Sequence, residues 1–121
     1  MKIGKVHVNQ AVDQIVRLCA IPSPSGFTAV VSGYLRETFR GIGLEPIRTR
    51  KGSVLVDLGG TGDPLVLAAH VDTLGGMVRS AKPNGRIRIT KIGGFSEHIV
   101  EGENCTVFTG DGRRGRRFEN R

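Results

Sequence analysis

The sequence predicts an α/β segment that runs into an all-β segment, with the change of character near residue 73. Three patterns carry that expectation. Two amphipathic helical stripes fill the first 43 residues, apolar strand-like runs follow to Asp72, and alternating hairpin-like strands come after it. Apolar residues make up 38% of the 121, with 5% aromatic and no Trp, so any core must rest on Val, Ile and Leu. The 18 glycines signal many turns.

The first helix is expected to start at an Asn9 cap and to carry Val12, Ile15, Val16 and Cys19 on one face. It must stop near Ile21, because Pro22 and Pro24 disfavour helical geometry before them. Upstream, "KVHV" looks strand-like and makes His7 a surface residue. In "SPSGFT", Ser25 fits an N-cap for a second helix from about Gly26, whose stripe is Val31, Tyr34, Leu35, Thr38, Phe39 and Ile42. Gly41 and Gly43 close that helix. Ser23 and Ser25 sit in no nucleophile-elbow pattern and are read as cap and turn residues. Strand-like "PIRTR", a turn at Lys51-Gly52, "SVLVDLG", a turn over 59–63 and "PLVLAAH" follow.

Beyond Asp72, "GGMVRSAKPNGRIRITKIGG" gives a strand, an Asn84-Gly85 turn and an alternating strand with Ile87, Ile89 and Ile92. "NCTVFTGDG" supplies another short strand and turn. Gly93-Gly94 is a turn pair rather than a phosphate cradle, since no helix start follows it. Glu97, His98, Glu101 and Glu103 are read as a solvated polar face.

Charge and cysteines exclude more than they assign. The net charge is +7, but the last eleven residues contribute +3 of it through five arginines against Asp111 and Glu119. Lys82, Arg86, Arg88 and Lys91 are spaced like the solvent side of a strand pair, and no aromatic interleaving suggests base stacking. Nucleic acid is therefore not the expected partner. Cys19 and Cys105 match no CxxC or metal-knuckle spacing and are expected to be buried free thiols in a cytosolic protein. No apolar stretch is long enough to span a bilayer, and no signal-peptide pattern opens the chain.

The chemistry concentrates in "LVLAAHVDTLGG". Side chains alternate along a strand, so His70 and Asp72 share a face at the end of an apolar run. Taken alone, this spacing fits two readings. One is a hydrogen-bonded pair at a strand end. The other is a metal site in which the imidazole ligates through one nitrogen while the carboxylate holds the other.

Four stretches in order, "AIPSPSGFTAVVSGYL", "LVLAAHVDTLGGMV", "KPNGRIRITKIGG" and "VEGENCTVFT", closely resemble the tetrahedral-aminopeptidase (TET) family, metallopeptidase family forty-two. That family comprises glutamyl and deblocking aminopeptidases, some labelled endoglucanases. The resemblance covers about residues 9–112. It implies a cytoplasmic, homo-oligomeric enzyme that removes N-terminal residues from peptides with two divalent metals, zinc or cobalt. Its fold would be a zinc-peptidase-like α/β domain with an inserted β-barrel-like dimerisation domain.

On this chain the resemblance makes residues 1–72 the first part of the catalytic domain, 73–112 the start of the insert, and 113–121 a basic tail outside the fold. It makes His70 a metal ligand and Asp72 the catalytic-site carboxylate that supports it. The family's bridging aspartate, paired glutamates, further acidic ligand and last histidine match nothing here. The tail also departs from the pattern, since Phe118 is its single apolar residue from Asp111 onward. The expectation is an N-terminal portion inactive alone, either a truncation, a frameshift or a fragment of a longer chain, or a genuine short protein that kept this part as an interaction module with a basic arm. Two rivals stand beside it: a non-catalytic dimerisation module, and a small basic nucleic-acid binder.

Overall fold

The computed structural model describes residues 4–111 and 114–116. Helix α1 spans Lys5–Cys19 and α2 Ala29–Gly41. Strands follow as β1 Ile47–Arg48, β2 Val54–Leu55, β3 Gly75–Ala81, β4 Ile87–Ile92, β5 Thr106–Phe108 and β6 Arg114–Arg116, with a 3₁₀ turn at Glu97–Val100. The mixture of helix and strand agrees with the fold class expected. The strands pair two by two, β1 with β2, β3 with β4 and β5 with β6, all antiparallel.

Helix α1 begins four residues before Asn9, and "KVHV" is its first turn rather than a strand. The physical reason is periodic. Val8, Val12, Ile15 and Cys19 continue one helical stripe, so nothing breaks the pattern at Asn9. Gly4 is the N-cap residue, and its N–H donates to His7 Nδ1 at 3.2 Å. Helix α2 starts after Thr28, which makes no side-chain cap bond, so Ser25 is not its cap. Its C-terminus closes as expected at Gly43, where φ is +82°. There the Leu44 N–H reaches the Phe39 carbonyl and the Gly43 N–H reaches that of Arg40, the Schellman arrangement. The Tyr34 hydroxyl donates to Gln14 Oε1 at 2.8 Å, tying α2 to α1, and Ser32 Oγ donates to the Gly52 carbonyl at 3.0 Å.

The β3–β4 hairpin forms as the alternation predicts, with Met77 opposite Thr90 and a bulge between Val78 and Ser80. Its tip is Pro83-Asn84-Gly85 inside the Lys82–Arg86 pair, with Gly85 at φ +80°, the three-residue hairpin loop. Lys82, Arg86, Arg88 and Lys91 are all exposed, as their spacing suggests.

Further expectations fail. "PLVLAAH" pairs with no strand among the described residues, and Leu65, Val66 and Leu67 are exposed. A continuous apolar strand needs neighbours on both edges and cover on both faces, and the described residues supply neither. Cys19 and Cys105 are free as expected, but both are exposed rather than buried. Cys19 ends a helix whose apolar stripe is uncovered, and Cys105 lies in the irregular segment before β5. The tail brings a difference too: Arg114–Arg116, expected to lie outside the fold, pairs its backbone with β5. A ladder needs only N–H and C=O groups, which a poverty of apolar side chains does not remove. The remainder of the basic tail, including Phe118, lies outside the described residues.

The chain exposes 10852 Å². A compact monomer of 13.0 kDa would expose about 6,300 Å². Val31 is the one buried aliphatic side chain among the described residues, beside buried Ser23, Ser32 and Pro46. The packing that does exist centres on the N-terminal end of α2 and the loop before it, and the candidate residues lie against that loop.

Candidate functional site

The loop Ser23-Pro24-Ser25 lies against the segment Val71-Asp72-Thr73, with Pro24 and Thr73 forming a parallel bridge. Four hydrogen bonds join the two stretches. The Thr73 N–H donates to the Ser23 carbonyl at 3.0 Å, and the Ser23 N–H donates to Thr73 Oγ1 at 3.3 Å. Ser23 Oγ donates to the Val71 carbonyl at 2.9 Å, and Ser25 Oγ donates to Asp72 Oδ2 at 2.5 Å. Ser23 is fully buried, so its hydroxyl needs this internal acceptor.

Two close approaches explain glycines in the motif. A Cβ on Gly75 would fall 2.7 Å from Pro24 Cβ, so only glycine lets the segment after Thr73 pass the proline loop. At Gly93 a Cβ would lie 2.6 Å from Leu74 Cδ2, and φ there is +96°. The Phe27 and Phe108 rings pack 5.3 Å apart between centroids at 34°, which joins the same loop to β5.

His70 and Asp72 stand side by side, with His70 Nδ1 3.0 Å from Asp72 Oδ1. The carboxylate can only accept, so the imidazole donates its Nδ1–H and turns Nε2 outward. The His70 side chain is 87% exposed and that of Asp72 39%. The Ser25 hydroxyl, and after it the His70 ring, hold the Asp72 carboxyl below its usual range by bonding its charged form. As a metal ligand His70 fits in kind: an accessible imidazole nitrogen backed by a carboxylate on the other. Among the described residues no group of three or more His, Cys, Asp or Glu could hold a metal ion. A complete metal site therefore needs ligands that these residues do not provide.

The other candidates fall away from this place. Glu97, His98, Glu101 and Glu103 are exposed, with a Lys91–Glu97 ion pair at 4.0 Å and a His98–Glu101 pair at 3.7 Å. Ser25 is the residue that sequence reasoning missed. Its partner lies 47 positions away, and the one available signal was that "PSPSG" and "HVDT" occur together in the same motif set.

The family model for M42 glutamyl aminopeptidase matches residues 52–116, more than half of the chain and inclusive of His70, Asp72 and both close-approach glycines. The chain belongs to the M42 family. It is 39% identical over 108 residues to YhfE of Bacillus subtilis (strain 168), a protein that carries an aminopeptidase name, covering 88% of this chain and 31% of the relative. It is 30% identical over 105 residues to the glutamyl aminopeptidase of Lactococcus lactis subsp. cremoris (strain MG1363), covering 84% of this chain and 30% of the relative. This M42 chain thus spans about a third of the length of the curated relatives it matches. No helix among its described residues is long and apolar enough to cross a membrane.

Proposed function

We propose that this chain is the N-terminal portion of a metal-dependent aminopeptidase that removes N-terminal residues from peptides in the cytoplasm. The observation that carries the reading is the His70–Asp72 pair, which leaves Nε2 outward and sits in the segment matched to the M42 family. His70 is the metal ligand this chain supplies, and Asp72 supports it from the opposite side of the ring. When bound, a zinc or cobalt ion supplies a Lewis acid and a water of lowered pKa. The chain's own work is to hold the imidazole in one tautomer and orientation and to keep the carboxylate behind it charged. Its other ligands, and the groups that carry protons, lie on residues that follow in the longer protein.

The chain alone should therefore be inactive, since a catalytic zinc needs about three protein ligands. Assay of aminoacyl-nitroanilide hydrolysis with added zinc or cobalt tests this on the 121-residue chain and on the longer protein side by side. Activity is expected only from the longer protein. Chelator-sensitive hydrolysis by the 121-residue chain would overturn the proposal.

One observation favours a second reading, an assembly module. The β3–β4 hairpin exposes Met77, Val78 and Ile89, and homo-oligomer formation through that segment would cover them.

A further inference from the structure

We propose that Ser25 is a positioning residue for His70: its hydroxyl locks one oxygen of Asp72 so that the other fixes the imidazole tautomer. The inference deepens the function proposed above and rests on it only for what occupies the outward nitrogen.

An aspartate at the end of an exposed segment has a broad, two-fold terminal torsion, so either oxygen can swing toward a neighbour. Here the two oxygens are divided. Oδ2 accepts from Ser25 Oγ at 2.5 Å and Oδ1 accepts from His70 Nδ1 at 3.0 Å. The donor that imposes this division is itself held firmly. Pro24 fixes its own φ, the Phe27 N–H closes a turn on the Pro24 carbonyl at 2.7 Å, and the Ser23–Thr73 pair anchors the loop on its other side. The imidazole has no comparable support, being mostly exposed with Asp72 as its hydrogen-bond partner. A histidine side chain free in water favours the proton on Nε2. A carboxylate held at Nδ1 reverses that preference and leaves the Nε2 lone pair outward. Ser25 is exposed and begins no helix, so neither burial nor capping accounts for its hydroxyl.

Long-range proton–nitrogen correlation NMR on the 15N-labelled chain reads the tautomer of each histidine at a pH where the rings are neutral. His7 is an internal reference of opposite sense, because its Nδ1 accepts from the Gly4 N–H. Wild type should show His70 with the proton on Nδ1. Ser25→Ala should shift the ratio toward the Nε2–H form by about three- to tenfold, the weight of one hydrogen bond. Ser25→Thr, which keeps the hydroxyl, should restore it.

Exchange protection of the Thr73 amide reports whether the loop is intact. If Ser25→Ala loosens it, Ser25→Cys keeps the side-chain shape with a poor donor and gives the reading instead. An unchanged His70 ratio with Thr73 still protected overturns the proposal, as does failure of Ser25→Thr to restore the ratio. Titration of the longer protein with zinc, where the remaining ligands are supplied, separates the two ideas. A ratio that follows Ser25 while zinc leaves the His70 Nε2 resonance unmoved keeps the positioning role and sinks the metal role. A zinc-shifted Nε2 resonance with a ratio indifferent to Ser25 does the reverse.

Discussion

Residues 65–67 and residues 71–73 belong to one extended run, yet they are held in opposite ways. Leu65, Val66 and Leu67 are 85%, 77% and 83% exposed and pair with no strand among the described residues. Val71, Asp72 and Thr73 each exchange hydrogen bonds with Ser23 or Ser25, and Thr73 bridges Pro24. The first stretch has hydrophobicity and no neighbours. The second has polar partners within reach and needs no large core. Burial requires many groups at once, whereas a laced loop requires a handful of well-placed donors and acceptors. The His70–Thr73 end of the segment is thus organised even where the apolar run that leads to it is bare.

The largest effect expected tests whether the laced end carries chemistry. In the longer protein, His70→Ala should remove most metal from one site and nearly all peptidase activity, while Asp72→Asn should cost roughly 10- to 100-fold in metal affinity or turnover. Metal analysis with nitroanilide kinetics checks both, and two metals with normal turnover in His70→Ala would make the pair an ordinary hydrogen-bonded contact.

A smaller effect sharpens the comparison by loosening the lacing itself. Gly75→Ala drives a methyl to 2.7 Å from Pro24 Cβ, and relief of that overlap should cost roughly 1–3 kcal/mol. Thr73 amide exchange should accelerate, since the proline loop must retreat. Undiminished protection would mean that the close approach is not a constraint.

The bare stretch should respond far less. Leu65→Lys replaces a side chain already in water, so the chain's own unfolding should move by no more than about 0.5 kcal/mol. Its self-association, read by sedimentation, should fall, because the exposed apolar run is what a second molecule would cover. A large loss of stability would show that residues 65–67 are packed after all.

Acid gives the smallest effect and probes the lacing without mutation. The Asp72 carboxyl is held below its ordinary range by Ser25 and His70, so its bonds contribute above that range and are lost as pH falls through the lowered value. The Asp72 carboxyl carbon shift should titrate below the ordinary aspartate range. A midpoint within that range would mean the two hydrogen bonds do not favour the charged form.

Much of this organisation was legible from residue order alone, and the failures share a cause. Period two put His70 beside Asp72, the alternation of Ile87 and Ile89 gave the hairpin, and Gly43 marked the end of α2. Each depends on residues within a few positions of one another. The partner of Ser25 and the reason for Gly75 depend on contacts some 50 residues apart along the chain, which no local period encodes. "PLVLAAH" reads as a strand because its side chains suit one, but a strand is completed only by neighbours. Val8 shows the converse, as a β-branched residue drawn into α1 by the stripe it continues.

The hairpin β3–β4 is a cantilever. Its root is clamped where Gly75 passes Pro24 and Gly93 passes Leu74. Its free end at Pro83-Asn84-Gly85 stands roughly 20 Å away at strand rise. Small rotations at such a root become large sweeps at the tip. A fluorophore or a cleavable tag at Asn84 would therefore report the attitude of the whole arm and leave the seryl and imidazole groups at its base undisturbed.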